Sequence, residues 1–331
     1  MIQITSNMIY NNINNQLDNE SVSIYNLEDQ ISTGLQINQP QDNPAGQVNV
    51  LSYQNSLSNL TQYTSNVSQA SEISALASST ASNAISVVNT AKTLALQMAN
   101  GTNSTANNQA AANQVGQLIN EIQQIAGTNY NGENIFTGED TSIPSAYTSS
   151  TAYYTPPSST SGAPVHIPYK VYTYAGNNVQ QKYQITQDET LAPSVTADEM
   201  FGSDNPPASN SSSTSTIPIA LLSVLSLFQS ELKSNTYAAN SSLIINGLSK
   251  GLSRLTAAQA TIGTKQERLT EQTTSYQTVN ANIQQLLGDT QDVNIAQATT
   301  NLTQAQTTYQ ATLAMSSEIT QLTPMLLKYL G

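Results

Sequence analysis

The chain has 331 residues and a formal net charge of −12, with nine Lys plus Arg against twenty-one Asp plus Glu. It contains no Cys, no Trp and one His, which excludes thiol chemistry and disulfides and makes a His-rich zinc site close to impossible. No Lys or Arg precedes Lys92, so neither a cationic signal peptide nor a basic membrane helix is expected at the start, and the scarcity of cations disfavours nucleic-acid binding.

The length suggests roughly two domains. From Tyr10, apolar positions step by three and four through Ile13, Leu17, Ile24, Leu27 and Ile31, with Glu20 as the one polar interruption. That is a helix with a coiled-coil seam. Gly34 is expected to stop it, and Pro40 and Pro44 to mark a loop. Helix resumes after Pro44, with a small-residue seam at Ala77, Ala81, Ala84, Val88, Ala91, Ala95 and Met98 that should allow close helix approach. Residues 100–104 read as a turn, and Ala111, Val115, Leu118, Ile122 and Ile125 as one face of a third helix. Asn131-Gly132 signals a hairpin, near 128–138.

The character changes from Glu139 to about Thr216, where Pro, Ser and Tyr concentrate. Val165, Ile167, Tyr169, Val171 and Thr173 alternate with a period of two, and so do Val179, Gln181, Tyr183 and Ile185 beyond a turn at 175–178. The expectation is a β-hairpin formed by these two segments. The stretches around Pro156-Pro157 and from Pro206 to Thr216 read as loops.

Helix returns at about Ile219. The strongest pattern then begins: Leu248, Leu255, Ile262, Leu269, Tyr276 and Ile283 stand seven apart. Leu252, Gln259, Gln266, Thr273, Asn280 and Leu287 interleave as a second, mostly polar register. A helix over Leu248–Leu287 would be about 60 Å long and needs other long helices beside it. The polar register has two readings: a partly covered side, or a face that slides against a neighbouring subunit as the assembly bends. Gly288 is expected to break this helix. The last helix carries Ile295, Ala298, Leu302, Ala305, Tyr309, Ile319 and Leu326, and Thr323-Pro324 should limit it.

The predicted fold is mainly α with a small β-rich insert: a long antiparallel coiled-coil bundle of the N- and C-terminal regions, with a central β domain at its outer end. Residues 1–40 and 290–331 would form terminal helices of an inner coiled coil. Residues 41–138 and 217–289 would form a helical rod, and 139–216 an outer insert.

Several local motifs resemble the bacterial flagellin superfamily, and within it the hook–filament junction group more than the filament subunits. They are Ser32-Thr33-Gly34, Asn38, Pro40, Asp42 and Pro44; Asn131-Gly132 through Phe136 to Gly138; Gly263 with Lys265; Asp292 with Ala296; and the ending at 326–330. Leu35 and Gln36 stand where relatives carry a basic pair, and Asn294 and Gln297 where carboxylates are common. Amides there hydrogen-bond independently of pH, which would suit acidic surroundings. The resemblance implies a non-enzymatic structural subunit with no cofactor. It would be exported through the flagellar channel without a cleaved signal and form a ring of copies. Its partners would be the first hook-associated protein, flagellin and an export chaperone.

The residues favour other readings less. The paired carboxylates, such as Glu28-Asp29 and Asp198-Glu199, are sequence neighbours that do not share a helix face, and read as solvated charges. His166 lacks ligand company, and the Ser-rich runs have no other base to activate them. The tyrosines from Tyr147 to Tyr183 suit half-buried strand packing. An exposed patch of them would instead favour a secreted adhesin, and flagellin itself is the nearer alternative.

Overall fold

The computed structural model describes residues 2–155, 166–204 and 219–330, with side chains from Met8 to Glu318 within those ranges. The seam positions Ile319 and Leu326 lie outside the described side chains. Val165, Pro156-Pro157 and the 206–216 loop lie outside the described residues. The backbone divides into two compact units, Met1–Thr61 with Gln277–Gly331, and Gln62–Tyr276.

In the first unit, α1 (Ile2–Thr33) ends at Gly34, whose φ of +74° is left-handed and suits glycine. Pro44 opens α2 (Pro44–Met98), and the Asn43 Oδ1 accepts from the Gly46 N–H at 2.9 Å as its cap. The last turns of α6 (Tyr237–Gln291) and all of α7 (Ile295–Leu330) also belong here. Asn294 caps α7 by accepting from the Gln297 N–H at 3.2 Å. Helices α1 and α7 pack along each other and run antiparallel. Gly34 and Gln36 meet Val293 and Gln291 at one end, and Glu20 accepts from the Thr312 hydroxyl farther along.

Two expected helix breaks are absent. α6 runs through Gly288 to Gln291, because a helical glycine costs only about 1 kcal/mol relative to alanine. α7 continues past Pro324 to Leu330. Proline removes one N–H from the helix, at a cost of about 3 kcal/mol, and leaves the other backbone groups available.

In the second unit, the rest of α2 and α6 run antiparallel. Tyr237 donates to the Ala95 carbonyl at 2.8 Å, Gln259 to the Ser82 hydroxyl at 2.8 Å, and Tyr63 stacks on Tyr276. Between them come α3 (Thr105–Ala126), capped by Ser104, and α5 (Leu221–Lys233). The α2 alanines are fully buried, but they receive large side chains such as Tyr237. α3 and α5 also pack along each other. Gly247 and Gly251, one turn apart on α6, face Val224 and Leu221 of α5, and an added Cβ would come within 2.8 and 2.7 Å of them.

Ahead of the insert stands the hairpin of β1 (Asn129–Tyr130) and β2 (Glu133–Asn134), turned by Asn131 and Gly132 with φ of 51° and 87°. Two positive φ values in a two-residue loop match the twist of the paired strands. Next, β3 (Tyr147–Tyr154) pairs antiparallel with β4 (Ile167–Tyr174), Thr151 opposite Lys170. Beyond them β5 (Tyr183–Gln184) pairs with β6 (Thr190–Leu191). The expected hairpin of 165–173 with 179–185 therefore does not form. Its supposed turn is engaged elsewhere: Asn177 donates its N–H to the Thr137 carbonyl and accepts from the Glu139 N–H through its side chain. A one-turn helix, α4 (Ala197–Phe201), closes the insert with a Thr196–Glu199 capping box.

The free edge of β4 is covered by serines. The N–H groups of Lys170, Tyr172 and Tyr174 donate to the hydroxyls of Ser226, Ser223 and Ser203 at 2.8–2.9 Å. This explains why Ser223 and Ser226 are buried on α5, and it shields the strand from further pairing.

Glu231 is the one fully buried carboxylate among the described residues, and neither of its oxygens has a hydrogen-bond partner. Burial pushes its pKa up to about 8, partly opposed by the nearby Asn240 amide. The native state therefore prefers the protonated acid. Stability is greatest below the unfolded value near 4.5 and falls as pH rises through about 8. Glu231→Gln should raise the thermal midpoint by several degrees at pH 9 and change it little at pH 4, as measured by circular dichroism melts across that range.

Candidate assembly surfaces

The motif residues from the two ends of the chain meet in a backbone clasp in the first unit. Val293 donates to the Gly34 carbonyl at 2.9 Å, Gln36 donates to the Gln291 carbonyl at 2.6 Å, and Leu35 bridges Asp292. Asp42 holds the loop by accepting from the N–H groups of Asn38 and Gln39 at 3.0 and 2.8 Å. The Asn38 amide donates to Asp29 at 2.9 Å, which ties the loop back to α1. Ser32, Pro40, Pro44 and Ala296 are exposed around this clasp, and Thr33 bonds back to the Asp29 carbonyl. Leu35 and Gln36 are engaged across the clasp through their backbones.

Along α1 and α7 the seam is incompletely covered. Ile13, Leu17, Ile24, Leu27, Ile31, Leu302 and Tyr309 are all half-buried, and only Ala298 is buried. Beside the seam, Met8, Val22, Tyr25, Leu313 and Met315 are exposed. One Glu20 oxygen is buried without a partner, while the other accepts from Thr312 and Gln16. Two helices cannot enclose an apolar stripe wider than their own line of contact.

The α6 seam behaves differently along its two registers. Leu248, Leu255, Ile262, Leu269 and Tyr276 are buried, and Ile283 is half-buried. The polar register, Gln259, Gln266, Thr273 and Asn280, is half-buried throughout. Gln259 is engaged with Ser82, and Thr273 with the Leu269 carbonyl.

The remaining motif residues sit where the insert meets α6. Lys265 donates to the Ser194 carbonyl at 2.6 Å and to Gln180 at 3.2 Å, and the Ser194 hydroxyl donates to the Ile135 carbonyl at 2.6 Å. The Asn131–Gly138 and Gly263–Lys265 motifs thus connect through one serine. Burial lowers the Lys265 pKa, with Glu199 opposing. Phe136 and Gly138 are buried, and Gly263 is exposed with open space around it. Sequence reading missed the β5–β6 turn as an attachment point. Ile185 accepts from Tyr276, the Gln184 carbonyl accepts from Asn66 of α2, and Glu189 pairs with Arg268. The heptad position of Tyr276 was a signal, since a tyrosine in a seam brings a hydroxyl that must find a partner.

The clasp makes a definite stability statement. Gly34→Val places a β-branched residue at a left-handed φ, costing about 1–2 kcal/mol or more. Hydrogen exchange at the Gln36 and Val293 amides should accelerate several-fold, while amides of α3 remain protected, as followed by mass spectrometry.

Comparison with known proteins matches this layout. The model of the bacterial flagellin N-terminal helical region matches residues 4–141, and that of the bacterial flagellin C-terminal helical region matches residues 245–330. A flagellin of Salmonella muenchen is 26% identical over 128 residues, 38% of this chain, and the chain spans a quarter of that relative's length. The fold is similar to that of a protein assigned as a flagellar hook-associated protein from Vibrio parahaemolyticus, with a TM-score of 0.60 and 15% identity over 76% of this chain and all of that one. It is also similar to the flagellar hook-associated protein-3 of Legionella pneumophila, with a TM-score of 0.53 and 14% identity over 72% and 99% of the two chains. The same holds for FlgL of Bacillus cereus, at 0.52 and 13% over 70% and 97%. With both helical regions matched and the motifs of the two chain ends joined in one clasp, the chain belongs to the bacterial flagellin family of structural, non-enzymatic flagellar proteins.

Proposed function

We propose that this chain is the junction subunit that joins the hook to the flagellin filament, as a ring of identical copies that transmits torque. The observation that carries the reading is the half-buried seam of α1 and α7 with exposed apolar residues along it. An apolar stripe left open on long helices is stabilised by further helices, and the simplest source is the same pair in neighbouring copies. In this reading residues 1–40 and 290–331 form an inner assembly layer. Residues 41–138 and 217–289 form the rod, and 139–216 the outer insert. The first hook-associated protein lies below, flagellin above, and an export chaperone covers the C-terminal helix before passage through the flagellar channel to the outside.

The likeness in fold to hook-associated proteins supports the junction role over that of a filament subunit. The match to a Salmonella flagellin keeps the filament subunit as the second reading. Copy number separates the two, since a ring takes a few subunits and a filament thousands.

Electron microscopy of a strain lacking the protein should show intact hooks and filaments shed into the medium. Hooks in cells that make no filament protein at all would identify the chain as flagellin instead. Leu17→Asp with Leu27→Asp, or truncation from Asp292, should abolish filament attachment while the isolated chain keeps the circular dichroism and melting of its second unit. Normal attachment by either variant overturns the assembly role of the seam.

A further inference from the structure

A polar groove of about 540 Å³ lies in the second unit between α3, α5 and the covered edge of β4. Its α3 wall is a stripe of amides. Asn113, Gln117, Asn120 and Gln123 recur at spacings of four, three and three, which places them on one helical face. None of the four side-chain amides makes a hydrogen bond within the protein among the described residues, and three of the residues are exposed. The opposite wall brings Lys170 from β4 and Lys233 from α5. Both ammonium groups are exposed and free of ion pairs among the described residues.

The groove inverts the charge of the chain. The protein carries more than two acidic groups for each basic one, yet these walls hold two lysines and no carboxylate. The carboxylates of the flanking helices stand apart: Glu231 is buried in the core, and Glu121 of α3 is not part of the walls. Two other polar side chains of the groove are already engaged. Ser226 caps the Lys170 N–H, and Gln229 donates to the Ala112 carbonyl in the space left by Gly116. What remains is a row of amides, each able to donate and accept, with the Thr151 and Ser230 hydroxyls, facing two cations.

We propose that this groove binds an anionic oligosaccharide of the uronic-acid class. Such a chain repeats hydroxyls and carboxylates along its length. Amides serve the hydroxyls in both directions, and lysines serve the carboxylates as point charges. Single-stranded nucleic acid fits poorly, because the rings of Tyr169 and Tyr172 are buried and give bases no stacking platform. A protein partner fits poorly as well, because no exposed aromatic or Arg lines the groove to serve as an anchor. The volume lies in the range of small-ligand sites.

The test titrates the full chain with tetragalacturonate, with maltotetraose as a neutral counterpart and with inorganic sulfate as a simple anion, by isothermal calorimetry and by NMR. Tetragalacturonate should bind with a dissociation constant on the order of 1 mM or tighter, and at least about tenfold more tightly than either control. Lys170→Ala with Lys233→Ala should weaken it about tenfold or more, and Gln117→Ala with Asn120→Ala several-fold, with unchanged thermal midpoints because these side chains are exposed. Absence of binding overturns the proposal, as does sulfate binding of equal strength or tetragalacturonate binding that ignores both pairs of substitutions. Loss of filament attachment in these variants without any sugar binding also overturns it, and makes the groove a contact with another flagellar subunit. The proposal does not depend on the junction reading, since either flagellar role leaves the groove outcome unchanged.

Discussion

A long amphipathic helix cannot bury its own stripe, and the rest of this structure depends on how that constraint is met in each unit. α6 has 55 residues, and its first register is buried from Leu248 to Tyr276 because α2 and α5 lie against it. α1 and α7 lie against each other, and apart from Ala298 their described seam residues from Ile13 to Tyr309 stay half-buried. Completely burying a Leu or Ile contributes roughly 1.5–3 kcal/mol, so each half-covered residue leaves part of that term available to a partner. Within one family of elements, the long seam of the second unit is closed by its own chain, whereas that of the first stays partly open.

Polar groups set where elements stop and how the insert attaches. Serine hydroxyls on α5 satisfy β4 amides that would otherwise be left without partners, so sheet and helix join without a third strand. Lys265, Tyr276 and Asn66 do the same for loops of the insert by reaching backbone carbonyls. With so few charges in the chain, neutral hydrogen bonds do most of this work. The only ion pair among the described residues, Arg268 with Glu189, is partly exposed and contributes little. Asn294 caps α7 as well as an aspartate would, and without a titrating group.

Much of the helical layout was legible because its signals are local. Gly34, Pro44, Ser104 and Asn131-Gly132 each act through their own backbone geometry, and each turn formed where its residue required. The misreadings share a cause. At Gly288 and Pro324 a local penalty of a few kcal/mol or less was taken as decisive, and the helix continued. At 175–178 a good turn sequence was assigned to the nearest strands, whereas Asn177 was already bonded to residues 137–139. Strand pairing depends on what competes for those groups, and the competitor lay about forty residues away.

The sequence by itself determined that the chain is a set of long amphipathic helices around a small Tyr- and Pro-rich insert, because periodicity and turn chemistry act within a few residues. It also determined that thiol chemistry and disulfides are excluded, because there is no Cys. Only the tertiary structure decided which strands pair, that the motifs of both chain ends close one clasp, that Glu231 is buried without a partner, and that amides from α3 face lysines from β4 and α5 across one groove. Each of these joins groups far apart in the chain, and their meeting depends on how whole elements pack.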